Sequence, residues 1–158
     1  MLWERAAGFD DGYLYFTEMP RAAQGINSCE DFEQALEKDP CYALASAGLG
    51  EAWMWASVGY VTNAPADAAA RARAAAEEAV RLDDGLAETH TALGLIRNFL
   101  GDPRAAPTHL QRAIDLNPSA APAHQALASH WIARGDFDEQ LRHIERAVAL
   151  DPRSASLR

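Results

Sequence analysis

Basic residues are scarce in this 158-residue chain: 14 Lys and Arg stand against 23 Asp and Glu, for a formal net charge of −9. Nucleic acids and anionic membranes are held by clustered cationic side chains, so this balance argues against both. Cysteine is scarcer still. Cys29 and Cys41 fall in no C-x-x-C or zinc spacing, so two reduced thiols, both small buried residues, are expected in a cytoplasmic protein. No stretch approaches the ~18 consecutive apolar residues of a membrane span, and the N-terminus lacks a basic and then apolar leader. The sequence also lacks G-x-S-x-G, a P-loop, G-x-G-x-x-G and H-E-x-x-H. No catalytic residue, metal or cofactor is therefore expected. What is present is 49% hydrophobic and 23% charged, the balance of a soluble globular domain with a real core.

Within that balance the chain repeats itself. RAIDLNP (112–118) returns as RAVALDP (146–152), 34 residues later. Gly101 and Gly135, Leu93 and Leu127, and Pro118 and Pro152 share that spacing, and Ala79, Ala113 and Ala147 extend it. Ala35 to Ala79, Leu49 to Leu93 and Gly50 to Gly94 are each 44 apart, so one unit carries ten extra residues between Gly50 and Ala79. A fixed period of this length marks stacked supersecondary units, none able to bury its apolar face alone.

Each unit reads as two helices. ETHTALGLIRNFL (88–100) has helical apolar spacing and stops at Gly101. Asp102 is expected to cap the next helix, with Pro103 at its first position and Pro107 straining its second turn. In the last unit Gly135 ends one helix, and Asp136 with Glu139 forms a capping box for the next. Gly50, Gly94 and Ala128 share one position, and Ala35, Ala79, Ala113 and Ala147 another. Small residues there let backbones approach, while Leu49, Trp53, Leu93, Leu110, Leu127, Trp131 and Ile144 fill the space between.

These positions resemble the tetratricopeptide repeat (TPR), whose unit has an early Leu-Gly, a Gly turn, two alanines and a Pro. The third unit matches through Leu93, Gly94, Gly101, Ala106, Ala113 and Pro118. The fourth matches through Leu127, Ala128, Gly135, Phe137, Ala147 and Pro152, departing at Gln140. The second has Leu49, Gly50, Trp53, Ala79 and Leu82, with Asp84 in place of Pro. The first is degenerate: FEQALEKDP (32–40) matches, and its first helix would lie within 9–19. The resemblance implies an all-α solenoid of about four helix–turn–helix repeats with a right-handed superhelix. A single array over 1–158 would comprise repeats at 9–42, 43–86 (with the insertion), 87–120 and 121–154, and the start of a further helix at 155–158. FEQALEKDPCYALASAGLGEAW, RLDDGLAETHTALGL and AIDLNPSAAPAH look more narrowly like TPR blocks attached to bacterial regulators, cyclases and kinases.

The resemblance further implies a non-catalytic protein-interaction module that binds a protein or peptide segment in a concave groove. By repeat position the groove would present Glu51, Met54, Trp55, Glu88, Thr91, Leu95, Asn98, Phe99, Gln125, Ser129 and Ile132. Chaperone-tail binders of the family clamp a carboxylate with Lys, Arg and Asn. Only Asn98 is of that kind here, so such a clamp is not expected, and Glu51 and Glu88 favour a basic or amine-bearing partner. The alternative is an enzyme or small-ligand binder using a pocket beside the aromatic stretch WMWASVGYVTNAP (53–65). Trp53 reads as packing, whereas Trp55 and Tyr60 are open to either role.

His90 and His124, one repeat apart, read as packing residues, and His143 as a helix-surface partner of Glu139 four residues before it. Asp10 and Asp11 beside Tyr13 and Tyr15 suit a helix start. Leu141, Ile144 and Val148 share a face of the last helix with no obvious cover. That edge is expected to meet a second copy, giving a homo-oligomer, or a downstream segment.

Overall fold

The computed structural model describes residues 26–60 and 64–151. Among them the chain is all helix, with no strand. Seven α-helices follow in order: α1 (Ile26–Lys38), α2 (Ala43–Trp55), α3 (Ala68–Leu82), α4 (Ala87–Phe99), α5 (Ala106–Leu116), α6 (Ala121–Arg134) and α7 (Phe137–Leu150). A π-helical turn, Ala56–Tyr60, prolongs α2 into the ten-residue insertion and breaks at Gly59 with φ of 94°. The helix expected within 9–19, with Asp10, Asp11, Tyr13 and Tyr15, lies outside the described residues.

Helices α2 and α3, α4 and α5, and α6 and α7 pack as pairs. The first helices of successive pairs also touch: α2 meets α4, and α4 meets α6. Each second helix meets the first helix of the next pair, α3 on α4 and α5 on α6. The result is an inner layer of α2, α4 and α6 backed by an outer layer of α3, α5 and α7. Met54, Ile96 and Leu110, all fully buried, fill the interior. Ala72, Ala76 and Ala79 of α3 are completely enclosed; their short side chains let α3 lie close against α2. The alanine ladder is buried at Ala79, Ala113 and Ala147, while Ala35 is half-buried.

The shared small position has a visible cause at Gly94. A Cβ added there would stand 2.6 Å from Leu110 Cγ and 3.2 Å from the Ala106 carbonyl. The two helices of that pair close on each other through this gap. Gly135 stops α6 as the sequence suggested: its φ is 76°, and its N–H and that of Asp136 donate to the carbonyls of Ile132 and Trp131 at 3.0 Å.

Three local expectations are corrected. Residues 102–105 form a turn, and α5 starts only at Ala106, so Pro107 sits in the first turn rather than straining the helix. An interior proline would lose a helical hydrogen bond and clash with the preceding turn. Starting later puts it where the N–H has no helical partner in any case. The capping box is half formed. Asp136 Oδ1 accepts from the Glu139 N–H at 3.2 Å, but the Glu139 carboxylate pairs with Arg142 instead of reaching back. Cys29 is buried and Cys41 exposed. Cys41 lies in the turn after Pro40, where its N–H donates to Asp39 Oδ1 at 3.0 Å.

Candidate functional site

The eleven residues expected to line the groove fall into two tiers of burial. Met54, Trp55, Thr91 and Leu95 are buried. The Thr91 hydroxyl donates to the Ala87 carbonyl at 2.8 Å, and the Trp55 ring meets Phe99 at 5.8 Å between centroids, bridging α2 to α4. Glu51, Asn98, Gln125, Ser129 and Ile132 are half-buried, and Glu88 and Phe99 are exposed. The accessible surface is thus an acidic and amide face around one exposed ring, resting on a floor of Met54, Trp55 and Leu95.

Glu51 is the unusual member. Burial pushes its carboxyl up to about 7, and it has no hydrogen-bond or ion-pair partner among the described residues. A desolvated carboxylate without a counter-ion is costly, and the site relieves this by holding the proton. Asn98 is already engaged: its Oδ1 lies 3.0 Å from Nδ1 of His130 on α6. Since Oδ1 can only accept, His130 donates from Nδ1. His130 is 1% exposed, and its Nε2 has no hydrogen-bond partner among the described residues. Asn98 therefore ties two first helices together.

Trp53 and Trp55 are both buried. Arg71 of α3 lies over the Trp53 ring at 5.0 Å, a cation–π contact across the insertion. Tyr60 belongs to the π-helical turn. Residues 61–63 lie outside the described residues. The tryptophans of the aromatic stretch close the interior rather than line an open pocket.

The histidines show an arrangement that sequence reading did not assemble. His90 Nδ1 lies 3.3 Å from His109 Nδ1, and His124 Nδ1 lies 3.1 Å from His143 Nδ1. Both partners are 19 residues downstream, and the two pairs are one repeat apart. That doubled spacing was the signal available. His143 is thus more than a surface partner: its Nε2 is 4.0 Å from Glu139, but its side chain is only 12% exposed and its Nδ1 faces His124.

In each pair the ring centroids stand farther apart than the nitrogens by one ring width, 5.6 Å and 5.4 Å. The rings therefore meet end to end, nitrogen to nitrogen. A metal ion on that line would lie closer to each nitrogen than the ~2.0 Å of a zinc–imidazole bond. No group of three or more His, Cys, Asp or Glu among the described residues is placed to hold a metal, and no described helix is long and apolar enough to cross a membrane.

Paired helices stacked so that inner helices touch define an α-solenoid. The fold is similar to that of MamA, at 25% identity over 80% of this chain and 68% of that one, with a TM-score of 0.58. It is also similar to TTC0263, a thermophilic TPR protein of Thermus thermophilus, at 22% identity over 81% and 66% of the two chains, with a TM-score of 0.68. A MamA RS-1 ArsTM double mutant is similar at 19% identity over 98% and 83%, with a TM-score of 0.58. This chain spans about two thirds of the first two. No protein-family model and no curated protein matches the sequence. The fold is that of an all-α tetratricopeptide-repeat solenoid.

Proposed function

We propose that the chain is a non-catalytic interaction module that holds a segment of a partner protein along α2, α4 and α6, with Glu51, Glu88, Asn98, Phe99, Gln125, Ser129 and Ile132 as the contact surface. The observation that carries this reading is Glu51, a half-buried carboxyl with no counter-ion among the described residues. A Lys or Arg side chain from a partner supplies the missing charge, and docking it would draw the carboxyl back to its ionised form. Exposed Phe99 offers the same segment an apolar contact. The TPR neighbours support a scaffold role in general terms. The test is capture from host lysate by the parent and by a Glu51→Lys, Glu88→Lys variant with unchanged circular dichroism. Asn98 is left intact, because removing it would strand His130. A partner kept by the parent and lost by the variant supports the groove; equal capture by both, or none by either, rejects it.

The likeness to repeat blocks of bacterial regulators supports a narrower role as a cytoplasmic sensing block. Phe137, Leu141 and Val148, 66%, 56% and 40% exposed on α7, support contact of that edge with a second copy. Light scattering across a concentration series tests this, and a strictly monomeric mass at high concentration rejects self-association.

A further inference from the structure

The end-to-end geometry puts a single N–H between the two rings of each histidine pair. His90 Nε2 lies 3.1 Å from the Asp84 carbonyl. A carbonyl only accepts, so His90 carries its proton on Nε2 and presents a bare Nδ1. His109 must then donate from Nδ1 across the 3.3 Å gap. The second pair has the same Nδ1-to-Nδ1 contact, at 3.1 Å. His124 Nε2 has no hydrogen-bond partner among the described residues, and His143 Nε2 lies 4.0 Å from Glu139. Whichever ring donates, a single N–H lies between the two Nδ1 atoms.

We infer that these two pairs are acid-sensitive latches between the helices of the last two repeats, each able to accept one added proton but not two. The first proton goes to the free Nε2 of the donating ring, His109 in the first pair, and the N–H···N bond survives. The second has only the remaining bare Nδ1 to occupy, that of His90 in the first pair, and it sets two N–H donors and two positive charges against each other at 3.1–3.3 Å. The unfolded chain has no such restriction and takes both. Acid therefore draws the chain toward separated α4–α5 and α6–α7 pairs.

The surrounding charges do little to relieve this. Burial, then Arg97 and His90, hold His109 below the ordinary histidine range. Burial also lowers His124, the Pro118 carbonyl acting against it and Arg146 with it. His143 is lowered by burial, His124 and Arg142 and raised by Glu139, the one carboxylate acting on any of these three. From the other packed elements, α2 offers only Glu51, and Glu77 of α3 lies 3.7 Å from Arg97. Asp115 of α5 accepts from Gln111 at 3.0 Å, and His130 of α6 is held by Asn98. Depressed folded-state values mean that the stability is present above the ordinary histidine pKa of ~6.5 and is lost as pH falls. Glu51 acts in the opposite direction at mildly acid pH and cancels when two variants share it. On the groove reading, α4 and α6 carry most of the contact surface, so the latches would also couple pH to binding; the tests below do not depend on that reading.

The test compares the parent with a His90→Leu, His109→Leu, His124→Leu, His143→Leu variant from about pH 7.5 to about pH 5. The parent should lose ~5–10 °C more in Tm than the variant, and its unfolding should take up ~2 more protons at the acid end, one per pair. Equal acid slopes overturn the latch. If the variant does not fold, nitrogen-15 spectra of imidazole-labelled parent decide. Native protein should show Nε2–H on His90 and Nδ1–H on His109, with at most one added proton per pair near pH 5. Four histidines titrating independently near 6.5 overturn it.

Discussion

Helix α4 and helix α7 are both amphipathic members of a repeat, yet they live in different surroundings. Every residue of α4 from Thr89 to Ile96 is buried, because α2, α3, α5 and α6 all touch it. In α7 only Ala147 is fully buried, and the main neighbour is α6. In a solenoid each unit is stabilised by its neighbours, so position in the stack decides how much a given side chain contributes. The repeat-equivalent residues Leu110 of α5 and Ile144 of α7 show this directly: the first is fully enclosed and the second half-buried.

The largest expected effect tests that difference. Leu110→Ala should cost about 2–5 kcal/mol in urea unfolding followed by circular dichroism, since the cavity opens in a packed interior. Ile144→Ala should cost less, about 1 kcal/mol, because it starts partly solvated. Equal losses would show that the last pair is as enclosed as the one before it.

Glu51 gives the next effect and contrasts a half-buried acid of the inner layer with an exposed one. Its carboxyl is raised to about 7 by burial, so the folded state keeps a proton that the unfolded chain releases near its ordinary value. Its contribution is therefore most favourable in acid, declines as pH rises toward 7 and levels off above it. At about pH 8 the folded state holds a desolvated carboxylate, and Glu51→Gln should stabilise by about 1–3 kcal/mol. The same change at exposed Glu88 should stay within about 0.5 kcal/mol. Thermal unfolding at pH 5 and pH 8 separates the two.

Gly94 and Ala128 allow an exchange at one repeat position. Gly94→Ala gains helix propensity but drives a methyl group into Leu110, for a net loss of about 1 kcal/mol. Ala128→Gly should lose a similar amount through backbone entropy and the loss of one buried methyl, without any clash to relieve. A Leu110→Ala background should turn the Gly94 change favourable while leaving the Ala128 change as it was, which a double-mutant cycle reads out.

Much of the helix framework was legible because repetition averages out local ambiguity. Gly101, Gly135 and the alanine ladder fall at the expected places, each where a backbone turns or two helices close. Single-residue logic failed where two signals competed. Asp102 and Pro103 looked like a helix start, but Pro107 could not then be accommodated, and the chain resolved the conflict by starting at Ala106. The proposed groove reads from the sequence as a list of positions but not as a surface: the repeat register does not say that Met54, Trp55, Thr91 and Leu95 are buried while Glu51 stays half-covered with no counter-ion among the described residues. The histidine pairs were hidden differently. Nineteen residues is no helical period, and only the packing of α4 on α5 and of α6 on α7 brings those rings together.

The smallest effect on folding belongs to the outer edge of α7. Leu141 is 56% exposed, against full burial for Leu110. Leu141→Ser should therefore shift the unfolding midpoint of dilute protein by no more than about 0.5 kcal/mol. At high concentration the same change should act on mass. If the apolar strip of Phe137, Leu141 and Val148 meets a second copy, light scattering should show the parent heavier than the variant, with the gap closing on dilution. A variant that unfolds far more easily even when dilute would mean that Leu141 is covered from within its own chain. The contrast between α4 and α7 would then be one of degree rather than of kind.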